Sequence, residues 1–209
     1  MRRILAILVA VILILAAIYV YRHRVDMGLV SPAGKGTEES SSDIPASERP
    51  ANITWAALDR TPDGFRVDMP VEYKQIQVPA YTSQGGSEQV DMIYAYPNPE
   101  TCFSVAWADE PPVERANNDL PDRTLDSARD DAMQRTQTSL VSETTLSQQG
   151  FPARDFSARN LGGGVFNARL VLARKRMYML TATFPSVDAR REQDVIRFFN
   201  SFNVVAGNQ

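Results

Sequence analysis

The chain carries almost no imidazole and almost no thiol. Its one histidine is His23 and its one cysteine is Cys102. His23 adjoins an apolar N-terminal run, so everything beyond it is free of histidine. That excludes Ser-His-Asp and Cys-His catalysis and histidine-ligated zinc. A single cysteine makes neither an internal disulfide nor a four-cysteine zinc site. It sits in the strand-like run Thr101-Cys102-Phe103-Ser104-Val105, with no base or cation beside it, and reads as a buried structural thiol. Nucleotide fingerprints are missing as well: neither G-x-x-x-x-G-K-[ST] nor G-x-G-x-x-G occurs. The formal net charge is -3 and the pI about 5.3, so no basic face is expected to meet nucleic acid. No nucleotide, metal or cofactor partner is expected, and no catalytic residue.

What the sequence does have is an apolar N-terminus. Ile4 to Tyr21 contains only Ile, Leu, Val, Ala and Tyr. As a helix this run spans roughly 27 Å, close to the thickness of a bilayer core. Arg2 and Arg3 precede it, and Arg22, His23 and Arg24 follow it. A cleaved signal peptide would have a shorter apolar stretch and a small-residue site directly after it; Tyr21-Arg22-His23-Arg24 stands there instead. Residues 1–24 are therefore expected to be an uncleaved single-pass transmembrane anchor, with the C-terminal domain outside the cytoplasm. Residues 25–50 hold three prolines, three glycines and Ser40-Ser41-Ser42, with few apolar side chains, and read as a disordered tether.

Residues 51–209 then read as one soluble α+β domain. Asp63-Gly64 is a turn signal, and Phe65 to Met69 alternates as a half-buried strand does. Val90 to Tyr96 and Cys102 to Ala108 are strand candidates joined by Pro97-Asn98-Pro99-Glu100. A helix is expected from Pro121 to Leu140, with Leu125, Ala128, Ala132, Met133 and Leu140 on its apolar stripe. Strands follow at Glu143–Gln148, Ala153–Arg159, Val165–Arg174 and Met177–Phe184. Gly162-Gly163-Gly164 forms one turn and Lys175 lies at the centre of another. Ser186 is placed to cap a last helix, Val187–Asn200, whose inner face carries Val195, Ile196 and Phe199, followed by Phe202. Strands linked by hairpins around two helices argue for an antiparallel sheet flanked by helices.

A family resemblance rests on four stretches. They are Trp55 with Asp63-Gly64-Phe65-Arg66-Val67-Asp68-Met69-Pro70, then Gly150-Phe151-Pro152-Ala153-Arg154, Arg176-Met177-Tyr178-Met179-Leu180-Thr181, and Arg197-Phe198-Phe199-Asn200-Ser201-Phe202. In this order they resemble small bacterial membrane-anchored domains of unknown function with a PsbP-like fold. The resemblance runs from Trp55 to Val205. It implies an antiparallel sheet sandwiched by helices, a fold shared with a Ran-binding import factor, and no known reaction.

Two charged features remain. Asp122, Asp126 and Asp130 fall on one helical face, with Arg123, Arg129 and Arg135 interleaved. Asp126–Arg129 and Asp131–Arg135 are at pairing distance, and the stripe reads as a solvated surface opposite the apolar face. Arg174, Lys175 and Arg176 form a basic hairpin tip, the candidate contact for a partner or for anionic lipid. The functional expectation is a membrane-anchored, non-catalytic binding or assembly module with an envelope protein as partner. The alternatives are a carboxylate-dependent envelope enzyme and an anionic-lipid-binding domain.

Overall fold

The computed structural model describes residues 52–81, 87–109, 120–174 and 176–205. The expected anchor (1–24) and tether (25–50) lie outside the described residues. Among the described residues no helix is long and apolar enough to cross a membrane.

Strands and helices follow in the order β1 (Trp55–Arg60), β2 (Phe65–Pro70), β3 (Lys74–Tyr81), β4 (Ser87–Asn98), β5 (Thr101–Asp109), α1 (Leu120–Thr136), β6 (Thr138–Gln148), β7 (Phe151–Asn160), β8 (Val165–Ala173), β9 (Arg176–Phe184), α2 (Glu192–Ser201) and β10 (Asn203–Val204). Seven strands form one sheet in the order β3-β4-β5-β9-β8-β7-β6, and β1-β2-β10 form a second. Every pairing is antiparallel. The expected α+β class, an antiparallel sheet with helices packed on it, is what the chain forms.

Alternation along the central strands sorts the side chains onto two faces. One face of the large sheet carries Phe103, Val105, Trp107, Tyr178, Leu180 and Val171, which pack against the small sheet and α2. Aromatic rings dominate this layer. The Phe65 ring centroid lies 5.0 Å from that of Trp107 and 5.8 Å from those of Tyr178 and Phe202. Phe103 meets Trp55 at 5.2 Å and Phe198 at 5.3 Å. The aromatic residues that carry the family resemblance, from Trp55 to Phe202, are therefore in or against this inter-sheet core. On the opposite face, Leu125, Ala128 and Ala132 of α1 pack on Phe156, Phe166, Leu170 and Met179.

Local chemistry explains the turns. Gly64 has φ +83 and its N–H bonds back to Thr61 O at 3.0 Å, closing a 3-10 turn over Thr61–Asp63. Asn98 Oδ1 accepts from the N–H groups of Glu100 and Thr101, which closes the β4–β5 hairpin. At the glycine-rich turn, Gly164 N–H donates to Asn160 Oδ1.

Four sequence expectations are corrected. The first helix ends at Thr136, because Gln137 adopts φ +50 and Thr138 opens β6; Leu140 is thus an exposed strand residue. The last helix begins at Glu192. Ser186 Oγ instead accepts from Ala189 N–H in a separate turn, and Arg191 is extended where it caps α2. Within that helix Phe198 joins Val195 and Phe199 inside, while Ile196 faces outward. Asp131 is not part of a solvated stripe: it is buried against Arg135 at 2.8 Å.

Candidate functional site

α2 lies over the face of β8, β7 and β6 without filling it. A cleft of about 170 Å³ remains between them. Ser142 and Thr144 of β6, Ser157 of β7 and Asn167 of β8 line one wall; Arg190, Glu192, Ile196 and Asn200 line the other. The strands present these hydroxyls and amides on one face because of the two-residue period.

Arg169 organises the closed end of the cleft. Its Nε and Nη2 donate to the two carboxylate oxygens of Asp155, each at 2.7 Å. Its Nη1 donates to Phe199 O at 2.8 Å and to Gln148 Oε1 at 3.2 Å. The guanidinium also stacks 5.2 Å above the Phe199 ring. One buried cation thus joins β6, β7, β8 and the last turn of α2. With its donors so committed, Arg169 builds the wall and leaves recognition to the hydroxyls, Asn200, Glu192 and Ile196. No histidine, cysteine or lysine lines the cleft. The arrangement offers hydrogen bonds and apolar contact to an occupant.

A second polar cluster lies on the opposite face. Arg154 of β7 is buried beneath α1, 3.1 Å from Glu143 and 3.5 Å from Asp122, and it also pairs with Asp126. Arg129 of α1 donates to both Glu143 oxygens, at 2.7 and 2.6 Å, and to Asp126 at 3.3 Å. Burial opposes the charge of Arg129, but the bonds it donates to Glu143 and Asp130 outweigh it and leave its pKa raised. Asp122 and Asp130 are exposed, as the sequence implied; Asp126 is turned toward β7. The interleaved arginines were legible, but Arg154, which arrives from another strand, was not.

The basic tip is split by the structure. Arg174 is exposed with φ +59, and Lys175 lies outside the described residues. Arg176 is part of β9: it donates to Asp109 at 2.6 Å and to Asp63 O at 2.7 Å. The Asp109 bond raises its pKa against the opposing effect of burial. Tyr178 donates to the same Asp63 carbonyl at 3.0 Å, and burial raises its hydroxyl pKa. The tip also stands far from the start of the domain. Trp55 packs on Phe103, which pairs with Ala182, six residues along β9 from Arg176 and about 20 Å away.

No family model and no curated protein matches this chain. Solved structures similar to it include two of a known kind. The solution structure of cyanobacterial PsbP (CyanoP) from Synechocystis has a TM-score of 0.48 and 14% identity, over 74% of this chain and 94% of CyanoP. The crystal structure of the Saccharomyces cerevisiae Ran-binding protein Mog1p has a TM-score of 0.41 and 10% identity, over 74% of this chain and 97% of Mog1p. PsbP and a Ran-binding protein are the two kinds of protein that the sequence resemblance named.

Among the described residues no group of three His, Cys, Asp or Glu side chains is placed to hold a metal ion. Cys102 is buried, and desolvation pushes its pKa up to about 12. It is a core thiol.

Proposed function

We propose that this protein is a membrane-anchored, non-catalytic binding or assembly module. The run Ile4–Tyr21 holds it in a bilayer, residues 25–50 tether it, and the domain offers a binding surface outside the cytoplasm. The observation that carries the binding half is the cleft between α2 and β6, walled by hydroxyls, two amides and an exposed isoleucine. The anchoring half rests on the amino-acid sequence. A carboxylate-dependent enzyme finds little support, because Asp126 and Glu143 already accept bonds from Arg129 and pair with Arg154. An acid–base pair must present free oxygens to its substrate.

Two measurements test the proposal. Alkaline carbonate extraction of native membranes should leave the full chain in the pellet. Recovery in the aqueous fraction, trimmed at its N-terminus, would overturn the anchor. A photo-crosslinking side chain at Ile196 should give a discrete adduct that the same group at exposed Val71 does not give. Identical patterns from the two positions would remove the cleft as a binding surface.

The alternative reading, contact with anionic lipid, keeps one supporting observation: Arg174 projects from an exposed turn. Its proper test is the pair Arg174→Ala and Lys175→Ala in vesicle co-sedimentation. Arg176 must be left intact, since it holds Asp109 and Asp63.

A further inference from the structure

The large sheet ends on two different kinds of edge. β3 carries Lys74 at its start and Pro79 within it. A lysine and a proline are devices that discourage a foreign strand from pairing. β6 is the other edge, with the sequence Thr-Ser-Leu-Val-Ser-Glu-Thr-Thr-Leu-Ser-Gln. It has no lysine, arginine or proline. Its single charge, Glu143, is directed to Arg129 and Arg154 within the same molecule. Among the described residues β6 pairs only with β7, and most of its side chains are exposed. Three of the exposed large hydrophobic residues, Leu140, Val141 and Ile196, lie on this strand or on the cleft beside it.

We infer that the Ser142–Gln148 stretch of β6 is a self-association edge, on which β6 of a second copy pairs antiparallel across a twofold axis. The inference rests on the binding-module reading and names its partner as another copy of this chain. The register follows from the residues. A bulge between Leu140 and Ser142 interrupts regular pairing there, leaving seven regular residues beyond it. An axis through Thr145 sets Thr145 opposite its own equivalent, Thr144 opposite Leu146, Glu143 opposite Ser147 and Ser142 opposite Gln148. No two like charges meet, and a β-branched threonine pair sits at the centre. Faces are preserved by such an axis, so both α2 helices stay on one side and both α1 helices on the other. Seven residues span about 23 Å. The buried area falls at the low end for a specific interface, so the dimer is weak in dilute solution. Tethering to a common surface raises the effective concentration and favours it.

Disulfide trapping of the full chain in its membrane tests the register. In a Cys102→Ala background, Thr145→Cys places two thiols across the axis, at the Cα separation a disulfide accepts. Mild copper-phenanthroline oxidation is expected to give a product of twice the chain mass, at least tenfold more than Gln77→Cys on the β3 edge or Ser147→Cys off the axis. Equal trapping at the three sites, no trapping, or an adduct of any other mass overturns the inference. A Thr145→Lys variant read by chemical crosslinking of the otherwise native chain is an independent check: dimer should fall by tenfold, and an unchanged yield also overturns it. Fractionating the same cells separates the two proposals. A chain that pellets with membranes but does not trap sinks only the dimer. A chain that traps in the aqueous fraction sinks only the anchor.

Discussion

The guanidinium of Arg169 lies 5.2 Å above the Phe199 ring while donating to that residue's own carbonyl at 2.8 Å. The same carbonyl also accepts from the Phe202 N–H at 3.3 Å, where the last turn of α2 ends. A sheet residue thus closes the end of a helix, and the same side chain holds Asp155 by two bonds. Arg169→Met should cost about 3 kcal/mol, because it leaves Asp155 without its two-bond partner and takes one of two donors from Phe199 O. Arg169→Lys should recover less than half of that loss, since an ammonium cannot reproduce the planar fork. Urea denaturation of the two variants measures both.

Arg129 and Arg154 share two carboxylates, Asp126 and Glu143. Their removal should not be additive. Arg154→Met alone should destabilise by roughly 3 kcal/mol, and a double-mutant cycle with Arg129→Met should show a coupling of about 1 kcal/mol or more. Additive losses would mean that the two cations act independently.

Gly64→Ala combines two penalties. The backbone there has φ +83, and an added Cβ would lie 2.6 Å from the Tyr178 hydroxyl. The left-handed conformation alone costs an alanine about 1 kcal/mol. Displacing Tyr178 from Asp63 O adds to it, for a total of roughly 2–3 kcal/mol. A Tyr178→Phe background should relieve part of the clash, which thermal melts of the single and double variants would reveal.

The Cys102 thiol should be silent in the folded protein. Its pKa is pushed up to about 12, from an ordinary value of 9.0, because burial disfavours the thiolate. The native state therefore holds this proton more tightly than the unfolded chain does. Its contribution to stability is fully present below pH 9 and is lost as pH rises from 9 to 12, by roughly 1.4 kcal/mol per pH unit. Iodoacetamide at pH 8 should label the protein only in denaturant. A Cys102→Ala variant should show a shallower loss of stability above pH 9.

Some of this was legible in the chain and some was not, for physical reasons. Hairpins announced themselves where the turn chemistry is local, as at Asn98 and at Gly162–Gly164. The aromatic stretches from Trp55 to Phe202 pointed to a fold because they make one layer of ring contacts. β1 and β3 escaped notice: β1 buries Leu58 alone, and β3 is an edge strand whose Gln75 and Gln77 remain in solvent. The end of α1 was missed because Gln137 adopts a left-handed backbone without the usual glycine. The cleft was invisible for a different reason. Its walls come from positions between 142 and 200, and only the register of β6, β7 and β8 beneath α2 brings them together.

The strand order has a consequence for how the molecule is built in time. β3-β4-β5 and β6-β7-β8-β9 are two runs of sequential hairpins, and the β5–β9 ladder alone splices them into one sheet. Hairpins between neighbours close quickly, whereas strands some seventy positions apart must wait for a large loop to shut. The splice is fastened by a buried hydroxyl pair, Ser104 with Thr181 at 2.6 Å. Two polypeptides divided between β5 and α1 should each hold latent structure, and mixing them should regenerate the sheet along that single line.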